Sequence, residues 1–187
     1  MRETRPVIVI GDACVDVTVR LADLMVGHSD VFDSERLLPT ISGGGTSANT
    51  AVALSKLGVA TAFMGTIGDD YGGRFMLREF SERGIDTGLT IVDDSNTIFV
   101  FAFIDPEGER TLWAFPREGC SYANLDLNKI DLDRVRRAGW VHSSGMAYMT
   151  GGTTRENLPK VFRAAYEAGV PTSFDLNPRV GEPENLD

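Results

Sequence analysis

The amino-acid sequence predicts an α/β protein in which helices cover a mainly parallel sheet. Three observations carry that reading. Short runs of consecutive apolar residues, at 6–11 and 59–68, suit strands buried on both faces. Stretches with apolar residues at helical spacing follow each of these runs. The strand–helix alternation is then interrupted by an aromatic hairpin and resumes after it.

Each element can be justified in order. "PVIVIG" (6–11) is an apolar run ended by glycine, a buried strand. "DVTVRLADL" (16–24) and "SERLLPTIS" (34–42) alternate in part and read as shorter strands. "SANTAVALSKLG" (47–58) is the strongest helix. Ala48, Ala51, Val52, Leu54 and Leu57 fall near i, i+3, i+4 spacing, and Gly58 is a natural stop. "VATAFMGTIG" (59–68) is a second buried strand. "DYGGRFMLREFSERG" (70–84) is a helix with an apolar stripe of Phe75, Met76, Leu77 and Phe80, closed by Gly84.

"NTIFVFAFIDPEGERTLWAFP" (96–116) differs. Phe99, Phe101 and Phe103 share one face of a strand; a turn at "DPEGE" leads to Leu112, Trp113 and Phe115. A two-stranded ribbon cannot bury that many large aromatics by itself. They must cover the main core, a partner subunit or a substrate. The alternation then returns. "DLDRVRRAG" (131–139) is a short helix and "WVHSSGM" (140–146) a strand. "TTRENLPKVFRAAYEAG" (153–169) is a helix with Thr153 or Thr154 as cap and Glu156 completing a capping box. "VPTSFDLN" (170–177) is a strand.

Composition bounds the function. The 187 residues suffice for one domain, and 42% apolar with 24% charged residues is ordinary for a globular chain. No apolar run reaches membrane-spanning length, so no membrane partner is expected. The stretch before Gly11 is too short for a signal-peptide core, which makes a cytoplasmic location the expectation. Cys14 and Cys120 read as reduced thiols packed as small hydrophobes, and His28 and His142 are too few and too scattered for a zinc site. A net charge of −9 argues against a nucleic-acid partner; a small anionic substrate stays open, because a local dipole can outweigh the global field.

Four motifs carry chemistry. Gly43, Gly44 and Gly45 strip the side chains from the backbone where the first long helix begins, and free N–H groups there favour an oxygen-rich or anionic ligand. A tight ligand-free turn is the alternative. No Lys-Ser/Thr follows the glycines, so this is not a P-loop. In "GDACVD", Asp12 and Asp16 follow the first buried strand, at the end where α/β sheets bind ligands, and could accept hydroxyl protons from a polyol or cap a loop. "GTIGDDYGG" (65–73) is explained mainly by Asp69 and Asp70 stabilising a helix start. "SFDLNPR" ends a strand with Asp175, Asn177 and Arg179, again on the ligand side of a parallel sheet.

Taken together and in this order, "VIVIGDACVD", "GGGTSANTAVALSKLG", "FMGTIGDDYGGRF", "DPEGERT" and "FDLNPR" resemble the ribokinase-like (PfkB) family of carbohydrate kinases. The resemblance implies a three-layer α/β/α domain with a small β-sheet lid, here with strands at about 16–42 and 96–116. It implies transfer of the ATP γ-phosphoryl group to a hydroxyl of a sugar, sugar acid or nucleoside, with Mg2+ as the companion ion. Carried over by position, Asp16 resembles the carboxylate that holds substrate hydroxyls, and Gly44, Gly45 and Asn49 the turn and amide that contact the sugar. Asp12 and Cys14 lie beside them. Cys14 stands where ribose-using members carry Asn. Phe99, Phe101, Phe103 and Trp113 fall in the lid, where they could stack on a nucleoside base or form a dimer core; a homodimer through the lid is expected. Asp175, Asn177 and Arg179 fall toward the phosphate side.

The family's late motifs are missing. No Gly-Ala-Gly-Asp turn occurs in the 187 residues, and no asparagine has Glu three places on. The first supplies the base and an anion-stabilising helix start, the second organises magnesium and phosphate. The expectation is therefore an incomplete kinase domain, residues 1–187, that holds the substrate, has no catalytic residue or metal ligand of its own, binds ATP and Mg2+ poorly and is inactive alone. Single oxyanion-type donors are worth about 10²–10³ in rate. The alternative is a truncated, non-catalytic sugar-binding or dimerisation module.

Overall fold

In the computed structural model, which describes residues 5–20, 38–116 and 119–177, the run Val7–Ile10 (β1) lies at the centre of a five-stranded sheet. Two strands follow β1 in chain order, Cys14–Arg20 (β2) and Thr40–Gly44 (β3), and belong to a second sheet. The first sheet continues on one side of β1 with Thr61–Gly68 (β4) and Asp86–Asp93 (β5). Beyond Ile98–Ile104 (β6) and Arg110–Phe115 (β7), it continues on the other side with Trp140–Ser144 (β8) and Thr172–Asp175 (β9). Its order is β5-β4-β1-β8-β9, and every pairing is parallel.

The apolar run of β1 is continuous because its two faces meet different cores. Ile8 and Ile10 pack with Met64, Val141, Leu158 and Val161 on the side of helices Leu132–Arg136 (α3) and Gly152–Glu167 (α5). Val9 packs with Ala48, Ala51, Phe63, Met76 and Phe80 on the side of helices Thr46–Lys56 (α1) and Tyr71–Glu82 (α2). Successive strand residues point to opposite faces, so burial on both faces demands an unbroken hydrophobic run. The result is three layers, α/β/α, with a four-stranded sheet of order β3-β2-β6-β7 beside them.

Several local expectations are corrected. β5 has no counterpart in the sequence reading. Only Leu89 and Ile91 of it are buried, because it is an edge strand that exposes the rest. A short helix, Gly145–Met149 (α4), directly follows β8. α5 starts before both threonines, with Gly151 at φ 85° as its cap residue and no side-chain cap, so the Thr153–Glu156 capping box does not form. Thr154 is buried and donates its hydroxyl to the Tyr122 carbonyl at 2.7 Å instead. Leu57 is 79% exposed: α1 turns Ser47, Ala48 and Ala51 inward and ends one residue before it. Residues 21–24 and 34–37 of the two short strands read from sequence lie outside the described residues, as does His28.

Candidate functional site

The site begins with the antiparallel pairing of β2 and β3. Cys14 lies opposite Gly44 and Asp16 opposite Ser42, so all four residues share one face of the small sheet. The Asp16 carboxylate lies against the Gly44 Cα, where a Cβ would overlap it. Glycine at 44 is therefore what lets the carboxylate stand beside bare backbone, directly ahead of α1.

Gly45 has a different reason to be glycine. Its φ is 102°, and a Cβ there would come within 2.6 Å of the Asp12 carbonyl oxygen and 3.0 Å of the Ala13 Cα. The chain turns here so that α1 begins on top of the loop after β1.

Asp12 closes that junction. It is 5% exposed, and its carboxylate accepts from the backbone N–H of Thr46 at 2.7 Å and of Ser47 at 3.1 Å. Its carbonyl accepts from the Ala48 N–H at 3.1 Å. Asp12 is thus a cap supplied to α1 from a distant loop, where Gly45, the local cap residue, has no side chain to offer. The first N–H groups of α1 are thereby engaged by Asp12, the capping role that the sequence offered as the alternative to a ligand contact.

Asp16 is half-buried, on the same face of the small sheet as Cys14. The Cys14 thiol donates to its Oδ1 at 3.3 Å. Burial raises the Asp16 carboxyl above its ordinary value of 3.8; the Cys14 hydrogen bond pulls it down and the Asp12 charge pushes it up, both less strongly. Burial and the adjacent Asp16 charge push the Cys14 thiol far up, so Cys14 stays protonated and donates. Cys14 and Cys120 are both free and buried, packed with Ile98.

The carboxyl ends of the large sheet converge on the same helix start. The buried Ser47 hydroxyl lies 3.4 Å from that of Ser144, the last residue of β8. Beyond β9, Asn177 donates from Nδ2 to the Thr46 Oγ1 at 3.1 Å, and its N–H reaches the Asp175 carboxylate at 3.0 Å. Asn49 lies three residues after Thr46 on α1 and is exposed. The structure thus brings Asp12, Cys14, Asp16, Gly44, Gly45 and Asn177 around one end of α1. Asp175 ends β9, and Arg179 lies outside the described residues. In "GTIGDD", Asp70 caps α2 through Gly73 N–H at 2.7 Å and also accepts from Thr97 N–H at 2.8 Å, while Asp69 pairs with Arg74 at the surface.

Strand parity divides the lid aromatics from this site. β2 pairs with β6 in parallel, placing Asp16 beside Val100 and Val17 beside Phe101. Phe99, Phe101 and Phe103 therefore occupy the face opposite Asp16, together with their cross-strand neighbours Phe115 and Trp113. Phe99 packs on the core near α2, while Trp113 and Phe115 are each 56% exposed. With Asp70, Asn96, Thr97 and Pro116, Phe99, Phe101 and Phe115 line a cavity of about 500 Å³ on that outer face. The register therefore puts these rings on the opposite face of the small sheet from the Asp16 carboxylate. The residues on the Asp16 face are Ile98, Val100, Ala102, Leu112 and Ala114. Sequence reasoning singled out none of them as site residues, because the phenylalanines dominate the hairpin; the signal was the alternation with those phenylalanines.

No helix among the described residues is long and apolar enough to cross a membrane. Comparison with known proteins adds the following. The family profile described as pfkB family carbohydrate kinase matches residues 5–181. The chain is 30% identical over 173 residues to 5-dehydro-2-deoxygluconokinase of Geobacillus kaustophilus (strain HTA426), covering 92% of this chain and 49% of that protein. It is 32% identical over 169 residues to ATP-dependent ribose-1-phosphate kinase of Halopiger xanaduensis, covering 89% and 52%. The crystal structure of fructokinase with bound ATP from Xylella fastidiosa superposes with a TM-score of 0.78 at 23% identity, covering 95% of this chain and 50% of that one. The chain spans about half the length of the curated relatives it matches.

Proposed function

The chain belongs to the PfkB family of carbohydrate kinases, and on that premise we propose that it holds the hydroxyl-bearing acceptor of a sugar-kinase reaction between Asp16 and the Gly44–Gly45 turn. The observation that carries the reading is the Asp16 carboxylate standing against the side-chain-free backbone of Gly44, at the carboxyl ends of the parallel strands. A carboxylate accepts from hydroxyl groups, and a glycine backbone without a side chain allows close approach. Asn49 and Asn177 border the same helix start and supply amides.

In this reading the small sheet is the lid. Val100, Ala102 and Ala114 cover the carbon skeleton of the acceptor from the Asp16 face. The outer aromatic face serves as contact with a second copy of the chain. The phosphoryl donor is ATP, with Mg2+ as its companion ion. The 187 residues contain neither a Gly-Ala-Gly-Asp turn nor an Asn-x-x-Glu sequence, so turnover needs groups that this chain does not itself supply.

Two measurements test the reading. Calorimetric titration with sugars, sugar acids and nucleosides should find at least one ligand, and Asp16→Asn should abolish its binding. Incubation of the same polypeptide with ATP, Mg2+ and that ligand should give no phosphorylated product. A ligand that binds Asp16→Asn as well as the native chain overturns the acceptor site; clear turnover overturns the need for further groups.

A further inference from the structure

The outer face of the small sheet meets the start of α2 in a cavity of about 500 Å³. Phe99, Phe101, Phe115 and Pro116 line it with apolar surface, and Asp70, Asn96 and Thr97 line it with polar groups. The two kinds of lining are packed together. Gly72, two residues beyond Asp70, is bare where Phe99 presses on α2. A Cβ there would come within 3.0 Å of Phe99 Cε2 and 3.1 Å of the Thr97 Cβ. Leu112 and Trp113 do not line this cavity and remain for contact between copies.

The lining carries charge of one sign. Asp70 accepts from the Gly73 N–H through Oδ1 at 2.7 Å and from the Thr97 N–H through Oδ2 at 2.8 Å. A carboxylate has about four lone-pair sites, so about two stay free for a ligand. Among the described residues, no Lys, Arg or His lines the cavity, and the neighbouring Arg74 pairs with Asp69 instead. The faces of phenylalanine rings add negative potential to that of the carboxylate. An anion is repelled here. A neutral apolar ligand strips water from Asp70 and returns no partner. A small inorganic cation finds one carboxylate and no further charged ligand. An alkylated ammonium ion suits both parts of the lining, with its charge toward the carboxylate and its methyl groups on the rings.

We propose that this cavity is a site for a small organic ammonium ion, held between the Asp70 carboxylate and the rings of Phe99, Phe101 and Phe115. The inference is independent of the acceptor reading, because the strand register puts these rings on the face of the small sheet opposite Asp16. Its occupant bridges the two sheets' territories: Asp70 is the cap residue of α2, and the rings belong to β6 and β7.

Two probes of equal shape decide it. The 187-residue chain, labelled with 15N, is titrated with choline and with 3,3-dimethyl-1-butanol, its uncharged isostere, and the backbone amide signals are followed by NMR. Choline should bind saturably and about 3–30-fold more tightly than the alcohol, the range that ring–cation attraction supplies. The shifts should centre on Asp70, Thr97, Phe99, Phe101 and Phe115. Asp70→Asn keeps an oxygen acceptor at the cap of α2 and removes the charge, so it should erase the preference for choline. Phe115→Leu, at a position 56% exposed, keeps the wall apolar and removes one ring. It should weaken choline at least about threefold and leave the alcohol nearly unchanged. It carries the test by itself should the asparagine variant not fold. Equal affinity for the two probes, shifts centred elsewhere, or no saturable binding of choline overturns the inference. A choline preference that survives the substitutions does so too. Each of these results leaves the acceptor site at Asp16 untouched.

Discussion

The Asp16 carboxylate occupies the space that a side chain on Gly44 would need. The two residues come from different strands, and antiparallel pairing of β2 and β3 brings them together with Asp16 two residues along from Cys14, the partner of Gly44. In the proposed acceptor site, carboxylate and bare peptide form one surface that depends on the geometry of both.

Replacing Gly44 by alanine tests that relationship. The backbone of Gly44 lies outside the left-handed region, so the new methyl strains no dihedral; it displaces the carboxylate. Ligand affinity measured by calorimetry should fall at least about tenfold, as expected when a buried polar contact is lost. The melting temperature should change little. Gly45→Ala should do the reverse in emphasis. With φ at 102° and the Asp12 carbonyl in the way, it should destabilise the fold by about 1–3 kcal/mol.

Asp12 should behave as a helix cap. Asp12→Ala leaves the N–H groups of Thr46 and Ser47 without their acceptor. Loss of a cap costs about 0.5–2 kcal/mol, or a fall in melting temperature of about 1–8 °C for a chain of this size. Thermal unfolding followed by circular dichroism would show it. A variant as stable as the native chain would remove the capping role.

Asp16 gives a pH dependence of defined sign. Burial raises its folded-state pKa above the ordinary 3.8, so the folded chain holds this proton more tightly than the unfolded one. The ionised form is therefore a burden on stability at neutral pH, and the burden disappears as pH falls through the raised pKa toward 3.8. Asp16→Asn should be more stable than the native chain at pH 7, and the gap should close in that acidic window. Ligand binding should move the opposite way, weakening in the native chain as the carboxylate takes up its proton. Unfolding curves and titrations at matched pH values read both effects.

Much of this was legible in sequence because the signals were local. The run "VIVI" announced a strand buried on both faces, and β1 is that strand. Gly58 and Gly84 stop α1 and α2 with positive φ, as glycine after a helix predicts. What stayed hidden depends on pairing between distant segments. Asp12 caps a helix 34 residues away, which no local pattern encodes. The strand β5 carries Gly88 and acidic ends, so its alternation is weak, and only its place at the sheet edge explains that composition. The sides of the aromatic hairpin became clear only when β6 was registered against β2.

That register yields the last prediction. Val100 is the cross-strand neighbour of Asp16, and Ala114 is the neighbour of Val100, so both share the Asp16 face and lie over the proposed acceptor position. Trp113, 56% exposed, lies on the other face. Val100→Trp should fill the space above Asp16 and lower ligand affinity by at least about tenfold, since a ring placed there competes with the ligand for the same volume. Trp113→Ala should leave affinity within about twofold, because the ring makes no contact across the sheet to the ligand side. It should instead weaken self-association, measured by sedimentation, because an exposed aromatic face of this kind is stable in water mainly when covered. If Trp113→Ala abolishes ligand binding while Val100→Trp does not, the lid presents its aromatic face to the acceptor, and the assignment of faces is wrong.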